Sequence, residues 1–225
     1  MKNSEIAHYI LSTTYKADAD TFHIVEEILN QPRSTDDFFP RSVYKDADDS
    51  HFVEIVGIDS LSLLDEYLED NDTLLNESKL RDQLTYDIRR EVIRHQDTVK
   101  SINNWIPSTE NIQMRYIEVP LYLLDEYHQW RDGTIFKNVS GRDEITGFTA
   151  YHSVISNVPG VTFFVEFDCA PEVINEGFTN AEYRRIVKDA NSYIVGGNQN
   201  LYTRFYGKVY SSYDSVNLNN KQKVA

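Results

Sequence analysis

Two glutamates share an unusual setting: Glu54 in the run Phe52-Val53-Glu54-Ile55 and Glu166 in Phe164-Val165-Glu166-Phe167. On an extended strand side chains alternate between faces, so each glutamate sides with the phenylalanine two places before it and opposes the flanking apolar residues. A carboxyl in an apolar space has a raised pKa and becomes a candidate general base; at a sheet margin it is solvated or paired instead. His152, beside Tyr151, is a second candidate base, because an imidazole titrates near neutrality, and its alternative is a satisfied structural histidine. Arg204 alternates with Tyr202 and Tyr206. Its guanidinium can fork onto a carboxylate or an anionic ligand group, or close a salt bridge at a rim. Tyr9 and Tyr116 lie in two similar runs, His8 to Tyr15 and Arg115 to Tyr122. Their phenols could donate to an enol or ketone, and Trp105 could wall a pocket, although interior aromatic residues also simply pack.

Other chemistries lack their usual residues. The six histidines (His8, His23, His51, His95, His128 and His152) form no HExxH and no pair at helical spacing, so no metal is expected. Cys169 is the single cysteine, which excludes an internal disulfide framework and CxxC motifs. No GxSxG, GxxxxGK[ST] or GxGxxG occurs. With 36 acidic against 22 basic residues the formal charge is −14, which disfavours nucleic acid and anionic membrane surfaces as partners. Met1 to Ile10 lacks the basic and apolar pattern of a signal peptide, and no apolar run approaches about 20 residues, so a cytoplasmic location is expected.

The positioning elements follow from periodicity. In the first half a strand from Ile6 to Tyr15 leads to a helix carrying Phe22, Val25, Ile28 and Leu29, then to strands Phe39 to Tyr44 and His51 to Ile58. Helical spacing follows at Leu61, Leu64 and Leu68 and again from Leu80 to His95, with a last strand from Thr98 to Ile106. The second half repeats the order: strand Ile112 to Val119, helix Leu121 to Phe136, strands Ile145 to Ile155 and Val161 to Phe167, a helical region Glu172 to Ile194 interrupted near Gly177, and strand Leu201 to Tyr210. The expected units are 1–108 and 109–210, with a disordered polar tail over 211–225.

Each half reads βαββαβ, the ferredoxin-like unit, whose sheet is covered by helices on one face only. The bare faces are expected to bury each other, giving an α+β fold of two such units packed sheet to sheet around a hollow. Val53, Ile55, Val165 and Phe167 would then face the helices, and Glu54 and Glu166 the inter-sheet space as pseudo-symmetric partners. In this order of elements the chain resembles the dimeric α+β barrel superfamily, which includes antibiotic-biosynthesis monooxygenase-like proteins, in a tandem version. The resemblance implies a pocket for a hydrophobic small molecule and a cofactor-independent oxygenase or cyclase acting on a polyketide-like or aromatic substrate. It equally allows a non-catalytic small-molecule, haem-binding or stress-response protein. No cofactor is expected; haem is a possibility it brings, without selecting an axial histidine. The chain would be a monomer or a homodimer.

Overall fold

The β-branched and aromatic runs fold as strands. The computed structural model describes residues 6–47, 50–156, 160–197 and 202–214. The first unit comprises β1 (Tyr9–Lys16), α1 (Phe22–Leu29), β2 (Arg41–Asp46), β3 (His51–Ile58), α2 (Leu64–Leu68), α3 (Asn71–Arg81) and β4 (Arg89–Lys100). The second comprises β5 (Asn111–Ile117), α4 (Leu124–Arg131), α5 (Lys137–Ser140), β6 (Gly147–Ile155), β7 (Val161–Phe167), α6 (Pro171–Thr179), α7 (Ala181–Ala190) and β8 (Tyr202–Ser211). The strands close into an antiparallel barrel in the order β1-β3-β2-β8-β5-β7-β6-β4. Within each unit the order is fourth, first, third, second strand. The units join along two seams, β2 with β8 and β4 with β6. The expected α+β architecture holds, with the two bare sheet faces meeting as the barrel interior.

That interior is packed. Tyr44, Val53, Ile55 and Ile93 from the first unit meet Ile112, Tyr151, Phe164 and Tyr206 from the second. An eight-stranded barrel has room for packed side chains or for one small ligand, and here, among the described residues, these side chains occupy the space between the sheets. Outside the barrel, one apolar cluster packs the second unit's sheet against its helices, and two smaller clusters do so in the first unit. Trp105 and Ile106 press on Gly57 of β3, where a Cβ would lie 2.7 and 2.8 Å from them, so only glycine admits this contact.

Four expectations are corrected. The spacing of Leu84, Ile88 and Val92 matches a helix, yet 89–100 is one long strand paired on both sides, with β1 and β6. Ladder bonds and the β-branched Val92, Ile93, Thr98 and Val99 prevail over the apolar period. Trp105 and Ile106 therefore lie in the connection after β4, not on a strand. The matched runs around Glu54 and Glu166 also differ in phase: Val53 and Ile55 point into the barrel, whereas Val165 and Phe167 face the helices. A slip of one residue exchanges the faces of a strand, so Glu54 and Glu166 are not symmetry partners. The helical interruption falls at Asn180, which caps α7 by accepting Tyr183 N–H at 2.8 Å. Gly177 lies inside α6, where a Cβ would stand 1.4 Å from Arg142 Nη2. Finally, Ser211 ends β8 and 212–214 turn helically, with Ser211 and Ser212 buried. The rest of the expected tail, 215–225, lies outside the described residues, as do Pro159, Asn198 and Leu201.

Candidate small-molecule site

Alternation along β5 sends Ile112, Met114 and Tyr116 toward the barrel, and Gln113, Arg115 and Ile117 toward the helices. The spacing of Tyr183, Ile186, Val187, Ala190 and Ile194 turns one apolar stripe toward the same space. The stripe does not fill it. A cavity of about 30 Å³ remains, walled by Ile117, Ile135, Phe148, Phe163, Ile186 and Val187, with Arg115 and Tyr183 at its polar end. Arg115, Tyr183 and Val187 also border an open groove of about 430 Å³, completed by Asn175, Phe178, Thr179, Arg184 and Thr203. The groove's size falls in the range of small-molecule sites.

Arg115 is only 6% exposed. Its Nε donates to Gln113 Oε1 and its Nη1 to the Tyr183 hydroxyl, both at 2.6 Å, while the Phe178 ring centroid lies 3.6 Å from Cζ. Among the described residues no carboxylate pairs with it. Burial pulls its pKa down; the Tyr183 hydroxyl opposes that fall and nearby Arg142 adds to it. Gln113 is fully buried, and its Nε2 has no hydrogen-bond partner among the described residues.

The equivalent space of the first unit is filled. Glu54 accepts from Tyr15 at 2.5 Å and pairs with Arg33 at 2.9 Å and Arg41 at 3.3 Å. Arg33 donates onward to Tyr67 at 2.9 Å, and Arg41 pairs with Asp36 at 3.0 Å. Burial pushes the Glu54 carboxyl up, but Arg33 and then Arg41 outweigh it and hold the pKa below the usual range. This corrects the expectation of a desolvated base between the sheets: Glu54 faces the helices, ionised, between two guanidinium groups. The cleft beside it has a free volume of about 0 Å³.

Glu166 does face the barrel, without a basic partner among the described residues. It accepts from the main-chain N–H of Ser108 at 2.8 Å and Thr109 at 3.2 Å. Burial raises its pKa, and those two N–H groups only partly counter the rise. Its contribution to stability is therefore full below the unfolded-state pKa near 4.3 and is lost as pH rises through the higher folded value. Glu166→Gln keeps an acceptor for both N–H groups and cannot ionise. Melts at pH 7 should show the variant more stable than the parent, with the difference vanishing near pH 4; a loss of stability at pH 7 would refute this account.

The remaining expected residues do not converge. His152 faces outward, its Nδ1 2.9 Å from Ser153 O, while its neighbour Tyr151 is buried in the barrel. Tyr206 and Trp105 are barrel core, and burial pushes the Tyr206 phenol up to about 12. Tyr9 packs on the first unit's outer cluster. Tyr116 and the exposed Tyr202 lie 6.3 Å apart, ring to ring. Arg204 forms the rim salt bridge, 2.9 Å from the buried Asp46. None of the ten lines the cavity or the groove. The sequence reading missed Gln113, Arg115, Phe178 and Tyr183. The signal for the first two was there: polar residues alternating with apolar ones on the expected strand Ile112 to Val119.

No family model matches the chain, and no curated protein matches its sequence. Solved structures do match. A protein described as a candidate monooxygenase from Fusobacterium nucleatum superposes with a TM-score of 0.66 at 8% identity, over 92% of this chain and 94% of that one. An anthrone oxidase-like protein gives 0.66 at 12% identity over the same shares, 92% and 94%. A ferredoxin-fold protein related to antibiotic biosynthesis monooxygenases, from Listeria monocytogenes, gives 0.50 at 8% identity over 92% of this chain and 98% of that one. The fold is a ferredoxin-like α+β barrel. At such identities the likeness is one of fold alone, so the chemistry of this α+β barrel rests on its own side chains. Among its described residues no group of three histidine, cysteine or acidic residues could hold a metal, and no helix is long and apolar enough to cross a membrane.

Proposed function

We propose that the chain binds an apolar small molecule in the cavity and groove of its second unit and oxygenates it without a resident cofactor. The observation that carries the reading is the difference between the units: one sheet–helix space is closed by a buried ion cluster, whereas the other keeps an apolar-lined cavity of about 30 Å³ next to an open groove of about 430 Å³. The monooxygenase-related and anthrone oxidase-like neighbours supply the reaction class by analogy of fold. In that class an activated methylene becomes a carbonyl and one O₂ is consumed. One oxygen atom enters the product, and the other leaves as water with the two methylene hydrogens. Among the described residues neither cavity nor groove is lined by a carboxylate or an imidazole, so proton loss would go to solvent, with the polar end of the pocket stabilising the resulting oxyanion. Among the described residues histidine, cysteine and methionine are also missing from both linings, and the one phenol there, Tyr183, is engaged by Arg115, so these residues do not fit haem ligation.

The missing base favours a second reading, a binding protein without turnover. Anthrone in air-saturated buffer decides between them. Oxygenation predicts anthraquinone formation above the buffer rate with one O₂ consumed per quinone, abolished by Val187→Trp, which fills the pocket mouth. Binding of anthrone without quinone formation leaves the second reading; neither binding nor turnover removes both.

A further inference from the structure

We propose that Arg115, backed by Gln113, receives the carboxylate of an otherwise apolar ligand, an aryl or polyketide-type acid whose hydrocarbon body lies in the groove that Arg115 borders. This rests on the second unit being the ligand site. A guanidinium taken out of water is costly unless an anion compensates it. The groups that touch Arg115 are the Gln113 amide, the Tyr183 phenol and the Phe178 ring, all neutral. Arg142 stands 4.1 Å from that same ring and directs its own pairing to Glu144 at 2.7 Å, so the surroundings add positive charge and no free anion. The chain as a whole carries −14, yet among the described residues the groove is lined by Arg115 and Arg184 and by no acidic side chain.

Two donors are left over on the same face of β5. Among the described residues, Arg115 Nη2 makes no hydrogen bond and Gln113 Nε2 makes none. A planar carboxylate has two oxygens to meet them. The first unit shows what the chain does when it supplies the anion itself: Glu54 sits between Arg33 and Arg41 and the space is shut. In the second unit the β7 residue paired with Arg115 is Phe163, and among the described residues no carboxylate takes the place that Glu54 holds in the first.

The test compares 2-naphthoate with the uncharged 2-naphthalenemethanol by titration calorimetry on the full chain. The acid is expected to bind roughly 10–100-fold more tightly, as for a charge-assisted bond in a dry site. In Arg115→Met that preference should disappear while the alcohol still binds, and the melting temperature should hold or rise, because an uncompensated charge has been replaced by a thioether chain of similar shape. If Arg115→Met fails to fold, Gln113→Leu gives the same readout, with a part of the preference lost. Equal binding of the two probes by the parent, or an unchanged preference in the variants, overturns the carboxylate assignment and leaves the pocket reading intact. Binding of neither probe, in a chain that melts cooperatively, overturns the pocket reading and this one with it.

Discussion

Glu54→Gln is expected to destabilise the chain by about 3–5 kcal/mol, because removing one partner of a buried ion pair strands the other charge. Two guanidinium groups depend on this carboxylate, and Arg33 is 7% exposed and Arg41 0% exposed, so neither can turn to water. Asp36 still compensates Arg41, which leaves Arg33 the more exposed to the loss. For a chain of this size the melting temperature should fall by roughly 6–20 °C. The sign with pH is fixed by the depressed carboxyl: its stabilisation is present above the unfolded-state pKa near 4.3 and is lost as pH falls through the folded value. Parent and variant should therefore converge in acid. Urea titrations at pH 7 and pH 3 measure both effects, and a cost under about 1 kcal/mol at pH 7 would show that the cluster is not a closed ionic plug.

Phe164→Ala should cost about 3–5 kcal/mol as well, for a different reason. The ring is fully buried and stands edge-on to Tyr151 at 5.5 Å in the middle of the barrel. Truncation leaves a void that side chains from two units would have to close. Denaturant unfolding tests it. A small cost would mean the barrel tolerates empty space and could house a ligand, which would move the candidate site from the second unit's outer face to the interior.

The order of strands was legible because apolar alternation in runs such as Val161 to Phe167 admits few other conformations. The pairing of bare faces was legible too, since a one-sided sheet needs a cover. Facing was harder. The likeness of Phe52-Val53-Glu54-Ile55 to Phe164-Val165-Glu166-Phe167 suggests equivalent roles, but pairing fixes phase: Glu54 sits opposite Thr13 on the helix side, and Glu166 opposite Ile112 on the barrel side. Identity of letters says nothing about which face is buried when both are. The candidate site was obscured for a related reason. Arg115 has an ordinary place in a strand, and only the contacts with Phe178 and Tyr183, more than sixty positions later, reveal a guanidinium without an anion. Arg33 and Arg41, likewise, become partners of Glu54 only through the fold.

The two seams have a consequence for how the chain comes into being. Ser42 finds its ladder partner at Ser211, so the ring cannot shut until the last strand exists. Between completion of Lys100 and of Ser211, at ordinary rates of synthesis, the nascent first unit waits about 6–22 s with its unsheltered face and the raw borders of β2 and β4 open to any passing strand. The hazard of mispairing is thus concentrated in that interval, before the closing ladder hides both borders.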